Sequence, residues 1–358
     1  DHFYLIDGSG YIFRAYYALP PLSRKSDGLP TGAVSGFCSM LFKLLEDSRS
    51  DDSNHKPTHF AVIFDSARKN FRNEIYSEYK ANRTEAPEDL APQFEYIRKS
   101  VKAFNLPSIE LLNYEADDLI ATYAKKIIEA GAKATVISSD KDLMQLVSDN
   151  IRLYDPMKSK VLGEKEVIEK FGVKPHQVID VQSLAGDSSD NIPGVPGIGI
   201  KTASELINKY KTLDILLKKA DEIPQNKRRE TLLANKDKAL LSRQLVTLKD
   251  DVPVKDDLNS FALQEVQKEK LYDFLREMEF NKLLGRAISF YGETENKKIQ
   301  PSNPKMQSPI INVKGYESIT SEKVLDKWIK ILNEQSVIAV DTETSSLNPL
   351  DADLVGVS

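Results

Sequence analysis

Cysteine is almost absent from this sequence: its 358 residues include only Cys38, together with one tryptophan and four histidines. One cysteine cannot form an intramolecular disulfide, and it excludes a zinc site built from clustered cysteines. Such cysteine usage is typical of the reducing cytosol, and the first residues lack a signal-peptide pattern, so we expect a cytoplasmic protein. No apolar run approaches the roughly 18 residues needed to cross a bilayer, which argues against a membrane protein.

A large excess of charge of either sign is also missing. The 49 Lys and Arg residues nearly balance the 54 Asp and Glu residues, which gives a net charge of −5. This balance argues against a histone-like DNA coat. It does not exclude an enzyme that acts on nucleic acid, because local charge matters more than the total.

Three short apolar runs each end close to a carboxylate. Continuous apolar runs of this length predict buried strands. Helical patterns at 34–45 and 119–128 lie between them, and this alternation predicts the α/β class with a parallel, doubly wound sheet. The runs are 3–6 before Asp7, 60–64 before Asp65, and 134–137 before Asp140 and Asp142.

The chain is expected to divide into four parts. Helical periodicity dominates from about residue 165, and a polar, proline-rich stretch at 293–309 indicates an exposed linker. A helical pattern at 324–332 and a strand pattern at 337–340 follow it. The predicted parts are an acid-lined α/β core over 1–164 with a basic segment at about 66–100, a helical region over 165–290, the linker over 291–310, and the start of another domain over 311–358.

Nine acidic residues occupy positions that suggest chemistry. A single Asp after a strand is more often a turn former or a helix cap, but a parallel sheet brings several such acids to one edge. Carboxylates about 4 Å apart repel by several kcal/mol, so the cluster predicts bound cations or protonated acids. Oxygen ligands without His or Cys favour Mg²⁺ or Mn²⁺, and two such ions suit phosphodiester hydrolysis. The nine are Asp7, Asp65, Glu115, Asp117, Asp118, Asp140, Asp142, Asp187 and Asp190.

The glycine-rich stretch 194–202 almost matches a nucleotide-binding P-loop. Ile200 separates the last glycine from Lys201, and no buried strand precedes the stretch, so a P-loop is disfavoured. A helix-hairpin-helix type turn, whose backbone N–H groups approach a DNA phosphate, fits better. A purely structural connection between helices stays open. The residues of interest are Gly194, Gly197, Gly199 and Lys201.

A basic segment with interleaved tyrosines follows Asp65. Residues 67–83 contain five basic side chains and two acids, a composition that suits a single-stranded backbone with stacked bases. The alternative is an ordinary solvated helix face. The segment includes Arg68, Lys69, Arg72, Tyr76, Tyr79, Lys80 and Arg83.

Several motifs together resemble a known family. They are 7–9, 64–65, 79–83, 114–118, 140–142 and 186–194. In this order and spacing they resemble the 5′-nuclease domain at the N-terminus of bacterial DNA polymerase I, within the flap endonuclease family, over roughly residues 1–290. The resemblance implies a PIN-like nuclease core followed by a DNA-binding helical region.

The resemblance also implies roles for individual residues. It assigns Asp7, Asp65, Glu115 and Asp117 to one metal, and Asp140, Asp142 and Asp190 to a second, with Asp118 and Asp187 in support. Lys80 and Arg83 match catalytic residues of the family's helical arch, with Arg72 and Tyr79 as further DNA-binding candidates. The glycine-rich turn would grip duplex phosphates, through a K⁺ ion in this family.

The expected function is that of a structure-specific 5′ nuclease. The resemblance implies a monomer that uses two Mg²⁺ ions, or Mn²⁺, on nicked or branched DNA with a 5′ flap and on RNA-primer junctions, in replication and repair. Two alternatives stay open: a PIN-like ribonuclease, and a catalytically inactive module that binds branched DNA.

A second, shorter resemblance covers the last forty residues. Residues 340–344 resemble the first motif of the 3′→5′ proofreading exonuclease domain, in which Asp341 and Glu343 would share a metal. This family needs further acids downstream, so the segment ending at Ser358 is expected to be inert alone.

Overall fold

The structure is a computed structural model that describes residues 1–50, 56–156, 158–294, 319–333, 342–344 and 354–357. The chain forms two compact units, Asp1–Glu295 and Asn296–Ser358. Within the described ranges, no helix is long and apolar enough to cross a membrane.

The first unit is built on a six-stranded sheet in the order β3-β2-β1-β4-β5-β6. Neighbouring strands run parallel except for β6, which pairs antiparallel with β5 at one edge. Strands β2 and β4 lie on opposite sides of β1, so the strand order reverses there. This reversal forms a crevice at the carboxyl ends of the three strands, where α/β proteins bind ligands. The strands are β1 His2–Asp7, β2 His59–Ile63, β3 Ser108–Ile109, β4 Lys133–Ile137, β5 Ile151–Asp155 and β6 Lys160–Leu162. The three predicted strands and the α/β class are confirmed.

Helices cover both faces of this sheet and form most of residues 163–294. The predicted helical patterns at 34–45 and 119–128 fall within α2 and α5. The helices are α1 Gly8–Ala18, α2 Gly32–Ser50, α3 Phe71–Ile75, α4 Gln93–Ala103, α5 Ala116–Glu129, α6 Glu164–Phe171, α7 Val178–Ala185, α8 Ile200–Tyr210, α9 Leu213–Lys218, α10 Asn226–Ala234, α11 Lys236–Val246, α12 Lys268–Glu277 and α13 Asn281–Tyr291.

Alternate strand residues point into two different cores. Leu5 of β1 belongs to a core shared with α5 and with α7 to α9, whereas the adjacent Ile6 belongs to a core shared with α1, α2 and α4. The last two helices of the unit, α12 and α13, return to this second core through Leu275 and Ala287, both fully buried. The helical part of the chain therefore covers both sides of the sheet.

The glycine-rich loop joins α7 to α8, as a helical hairpin requires. Gly186 and Gly194 have φ angles of 69° and 58°, in the left-handed region that favours glycine. A Cβ atom on Gly186 would lie 2.5 Å from the carbonyl oxygen of Ile192, so the two sides of the loop pack backbone against backbone. Residues 165–290, all described, contain no strand, as expected.

The second unit is described only in part. Its helix α14, Glu322–Asn333, confirms the predicted helix, and β7 Thr342–Thr344 pairs antiparallel with β8 Leu354–Val357. Glu343 lies in β7. The predicted strand at 337–340, Asp341 and most of the predicted linker lie outside the described residues.

Candidate active site

The carboxyl end of β1 places Asp7 at the centre of the crevice. Asp7 also caps α1, since the backbone N–H of Gly10 donates to its Oδ1 at 2.8 Å. Ser138, which follows β4, donates its hydroxyl to Asp7 Oδ2 at 2.8 Å. Asp7 is only 7% exposed, and hydrogen bonds from α1 and from the residue after β4 fix both oxygens of its carboxylate.

A second group of acids surrounds the N-terminus of α5. Asp65 follows β2, and its Oδ1 accepts a hydrogen bond of 2.7 Å from the backbone N–H of Ala116, the first residue of α5. Glu115 precedes the helix, and Asp117 lies in its first turn. The partial positive charge of a helix N-terminus favours carboxylates at these positions.

The loop after β4 contributes Asp140 and Asp142. The backbone N–H of Asp142 donates to Asp140 Oδ1 at 2.8 Å, so the two acids share one turn. Gln182 of α7 donates from Nε2 to Asp142 Oδ1 at 2.5 Å. A side chain of the helical region thus orients an acid of the sheet edge.

The loop between α7 and α8 adds two more buried acids, Asp187 and Asp190. Asp187 Oδ1 accepts hydrogen bonds from the backbone N–H and the hydroxyl of Ser189, at 2.8 and 2.5 Å. Its carboxylate also forms an ion pair with Lys141 from the loop after β4. The nine predicted acids therefore come from the sheet edge, the start of α5 and this loop.

Two basic residues of the predicted arch pair with the acids. Lys80 Nζ donates to Glu115 and lies 3.6 Å from Asp190 Oδ2. The Arg83 guanidinium donates to Asp190 Oδ1. The arrangement supplies Glu115 and Asp190 with positive charge from the protein itself.

Backbone contacts fix the same part of the arch against the α7–α8 loop. The N–H of Lys80 donates to the carbonyl of Asp190 at 2.9 Å. The Asn82 side chain donates to the Ser188 carbonyl at 2.8 Å, and the Asn191 side chain donates to the carbonyl of residue 78 at 2.7 Å. Residues 78–83 therefore lie directly on residues 188–191.

Three acids remain poorly neutralised. Burial raises the pKa of Asp7 to about 6 against hydrogen bonds that lower it, and Asp140 adds repulsion. Burial and the charge of Asp140 raise the pKa of Asp142 to about 7. Burial and neighbouring carboxylates raise the pKa of Asp117 well above its usual range. The centre of the crevice therefore favours the binding of positive charge.

Glu115 and Asp187 titrate in the opposite direction. Burial opposes their ionisation, but Lys80 and Arg72 hold the pKa of Glu115 below its usual value, and Lys141 does the same for Asp187. Ion pairing outweighs burial at these two positions.

The sequence-based roles of Arg72 and Asp118 need correction. Arg72 is 1% exposed, and its guanidinium forms a bidentate pair with Asp118, with both N–O distances 2.7 Å. Asp118 is fully buried, and its Oδ1 also accepts from the backbone N–H of Lys249 at 2.9 Å. In this structure Arg72 is too buried to contact DNA, and Asp118 is committed to Arg72 and to the backbone rather than open to a metal.

Tyr79 is likewise placed inside the protein. Its ring is buried, and its hydroxyl donates to Glu115 Oε2 at 3.0 Å. Its ring centroid lies 5.0 Å from Lys80 Nζ and 5.9 Å from Arg72 Cζ, so in this structure Tyr79 contacts protein groups, and its contact with DNA stays a prediction.

The glycine-rich turn has one closed and one open side. Gly194 is buried, and its N–H donates to the hydroxyl of Ser242 at 2.9 Å. This N–H is therefore not available to a phosphate, contrary to the prediction for Gly194. Gly197 and Gly199 are exposed, and a Cβ at either position would meet open space. Lys201, also exposed, lies in the first turn of α8.

Several side chains that shape the site carried little sequence signal. Lys141 lies between two predicted acids, and this spacing was its only signal. Ser138, Gln182 and Ser242 have no pattern that separates them from ordinary polar residues, because their partners lie 40 or more residues away.

The metal sites remain a prediction. In the part of the chain that the structure describes, no three His, Cys, Asp or Glu side chains surround one point closely enough to hold a metal ion. The donor chemistry nevertheless fits a hard divalent cation, because the acids supply only oxygen ligands and several of them repel one another.

We expect the metal-free protein to become more stable as the pH falls from 8 to about 5.5. Asp7 and Asp142 have raised pKa values in the folded state, so over this range the folded state takes up protons that the unfolded state does not. Over this range Asp7 alone contributes on the order of 1 kcal/mol. The pKa values of Glu115 and Asp187 are lowered, so the stability that these two groups contribute is lost only at more acidic pH.

Urea unfolding in EDTA at pH 8 and pH 5.5 measures this dependence. Asp7→Asn is the matched control, since it removes one of the titrating groups and should reduce the slope. Equal stability of the unsubstituted protein at both pH values would contradict the prediction.

A mostly parallel sheet with acids at its carboxyl edge, followed by a helical hairpin, is the arrangement that the motifs predicted for a nuclease core. Residues 2–172 match the model of the 5′-3′ exonuclease N-terminal resolvase-like domain, and residues 173–269 match the model of its C-terminal SAM fold. The chain belongs to the 5′-3′ exonuclease family, as its motifs predicted. It is therefore a nuclease, an enzyme that hydrolyses DNA.

Individual relatives agree with this assignment. The chain is 45% identical to DNA polymerase I of Rhizobium leguminosarum, and the match covers 100% of this chain and 41% of that protein. It is 36% identical to a 5′-3′ exonuclease of Aquifex aeolicus, with 83% of this chain and 98% of the relative covered. The chain thus spans about two fifths of the polymerase relative and nearly all of the exonuclease.

A solved structure shows the same fold. The bacteriophage T5 D15 flap endonuclease, in a pseudo-enzyme-product complex with DNA and metal ions, aligns with a TM-score of 0.58 at 20% identity. The alignment covers 82% of this chain and 100% of that one.

Proposed function

We propose that the chain is a structure-specific 5′ nuclease that cleaves 5′ flaps and nicked strands by a two-metal mechanism. The observation that carries this proposal is the group of acids with raised pKa values, Asp7, Asp117 and Asp142, at the carboxyl edge of the sheet. Two divalent cations would relieve their repulsion and create a site for a phosphodiester. The complex of the T5 enzyme with DNA and metal ions supports the same chemistry.

The acids divide into two candidate ligand sets. Asp7, Asp65, Glu115 and Asp117 would hold one Mg²⁺, and Asp140, Asp142 and Asp190 would hold the second, with Mn²⁺ as a substitute. When bound, the ions supply a nucleophilic water and stabilise negative charge on the phosphate and the leaving oxygen. The acids must draw together to enclose the ions, because the described side chains do not yet surround one point.

Lys80 and Arg83 would exchange their carboxylate partners for the scissile phosphate. Both side chains lie at the acidic edge on Glu115 and Asp190, so the arriving phosphate can replace those anions. A cation held at this position would stabilise the charge that develops in the transition state.

The open side of the glycine-rich turn would bind the duplex part of the substrate. Gly197 and Gly199 leave the backbone accessible at the start of α8, where a phosphate, with or without a K⁺ ion, is favoured. RNA-primer junctions would be cleaved as flaps are, the enzyme acting as a monomer in replication and repair. In this division of labour, residues 1–164 perform the chemistry and residues 165–290 bind DNA.

Replacing Lys201 by Ala should weaken duplex binding and reduce the slope of log K against log salt by about one unit, because one phosphate contact is lost. Fluorescence anisotropy at several salt concentrations measures the slope. Lys209→Ala, at the other end of α8, is the control and should leave the slope unchanged. An equal slope for Lys201→Ala and the unsubstituted protein would assign the turn a structural role only.

Cleavage of a 5′-labelled flap duplex with Mg²⁺, compared with EDTA, tests the proposed function. Release of a short labelled product from the flap, and none from blunt duplex, is the expected result. Tight binding without cleavage in Mg²⁺ or Mn²⁺ would instead indicate an inactive binding module. Preferential cleavage of single-stranded RNA would indicate a PIN-like ribonuclease.

A further inference from the structure

The buried Arg72 is the centre of a hydrogen-bond network that the proposed reaction does not use directly. All five of its N–H groups have acceptors. Nε donates to the Leu245 carbonyl at 2.8 Å, and Nη2 donates to the Thr247 carbonyl at 3.1 Å and to Asp118 at 2.7 Å. Nη1 donates to Asp118 at 2.7 Å and to Glu115 Oε2 at 3.3 Å. Every donor position of the planar guanidinium is therefore occupied, which fixes its orientation.

This network connects two distant parts of the fold. Asp118 and Glu115 lie at the N-terminus of α5, which faces the acidic crevice. Leu245 is near the end of α11 and Thr247 follows that helix, so their carbonyls present the negative end of a helix to the guanidinium. Arg72 thus links the start of one helix to the end of another, 127 to 132 residues further along the chain.

The same helix also holds the glycine-rich turn. Ser242 of α11 is fully buried and accepts the hydrogen bond from the N–H of Gly194. One helix therefore contacts the proposed duplex-binding turn through Ser242 and the proposed metal ligand Glu115 through Arg72. Direct hydrogen bonds and a single helix therefore connect the glycine-rich turn to Glu115.

Stability alone does not account for this arrangement. A buried ion pair replaced by apolar residues of similar size often leaves a protein equally stable, since removing two charges from water is unfavourable. The distinctive property of the Arg72–Asp118 pair is its geometry. It holds the Arg72 guanidinium where it donates to the Glu115 carboxylate, and Tyr79 and Lys80 donate to the same carboxylate. Loss of Arg72 would break the link between Glu115 and the end of α11 and leave the Glu115 carboxylate bonded to Tyr79 and Lys80.

We propose that Arg72 is a positioning residue for the nuclease reaction, which aligns Glu115 and the Tyr79–Lys80 segment with α11 and hence with the DNA-binding turn, without touching DNA. The proposal rests on the proposed function above. It goes beyond that function because it states that a buried arginine sets the rate of cleavage and not the affinity for DNA.

The test separates positioning from folding. Arg72→Met alone would leave Asp118 as an unpaired buried charge and is expected to lower the Tm strongly. The informative variant is therefore Arg72→Met combined with Asp118→Asn. It removes both charges and keeps a side-chain oxygen as acceptor for the backbone N–H of Lys249. Its Tm should be higher than that of Arg72→Met.

Steady-state cleavage of the flap duplex at a temperature well below each Tm supplies the readout. For the double variant we expect kcat to fall at least about tenfold, with KM and the metal-free Kd for the flap within about twofold of the unsubstituted protein. Arg72→Lys keeps the charge but not the planar fork, so its kcat should also fall. The matched control is Arg243→Met with Asp214→Leu, a partly exposed ion pair between α11 and α9, which should change neither constant.

Two results would overturn the proposal. If the double variant has a kcat equal to that of the unsubstituted protein, the network only stabilises the fold. If KM and Kd rise while kcat is unchanged, Arg72 contributes to DNA binding instead. Failure of the proposed function has a different signature, because the unsubstituted protein would then leave the flap uncleaved in Mg²⁺.

Discussion

Replacing Asp7 or Asp140 by Asn is expected to reduce flap cleavage in Mg²⁺ by at least about 10² to 10³-fold, while DNA binding without metal stays equal or becomes tighter. Each substitution removes one charged oxygen ligand from the proposed metal sites, and with it part of the transition-state stabilisation. It also removes a negative charge that repels the phosphates, which is why binding should not weaken.

Single-turnover cleavage and anisotropy in EDTA measure the two effects separately. Asp149→Asn is the matched control, since this exposed Asp precedes β5 at the opposite edge of the sheet. Its cleavage rate should equal that of the unsubstituted protein. Cleavage by Asp7→Asn and Asp140→Asn at the unsubstituted rate would show that the metal assignment is wrong.

Replacing Lys80 by Ala should lower kcat by about 10²-fold and change KM far less. Lys80 is already at the acidic edge, held by Glu115 and by the backbone of Asp190, so its charge is available at the reacting phosphate rather than spread over the DNA. Removal of one fixed hydrogen-bond donor that stabilises developing negative charge typically costs about 2.7 to 4 kcal/mol in the transition state, and loss of Lys80 should cost a similar amount.

Lys69→Ala is the control for this prediction. Lys69 belongs to the same basic segment but is exposed, so its loss should affect KM and salt dependence while kcat is retained. If Lys80→Ala behaves like Lys69→Ala, the arch acts through general electrostatic attraction and not at the scissile phosphate.

The sheet and the acids were predictable because their signals are local. Each of β1, β2 and β4 is a continuous apolar run, and such a run has few alternatives to a buried parallel strand. The acid that follows each run is placed at the carboxyl edge by the sheet itself. The sequence alone therefore placed Asp7, Asp65, Asp140 and Asp142 at one edge of the sheet.

The basic segment was harder to interpret because its signal depends on distant partners. Arg72 and Lys80 lie in one charged stretch and look alike in sequence. Arg72 donates to the backbone carbonyls of Leu245 and Thr247 in the interior, whereas Lys80 reaches the acidic edge. Contacts separated by more than 100 residues leave no periodic pattern, so the burial of Arg72 and Tyr79 could not be derived locally.

The return of α12 and α13 to the sheet has a consequence for synthesis of the chain. A ribosome releases the strands and α2 long before residues 271–287, which complete the core on the face of Ile6. Until then the nascent polypeptide presents an uncovered apolar surface that includes Phe42 and Phe104. Domains generally fold in the order in which they emerge, but here the catalytic half must wait for its last helices, and a chaperone that shields this surface would act on the emerging half.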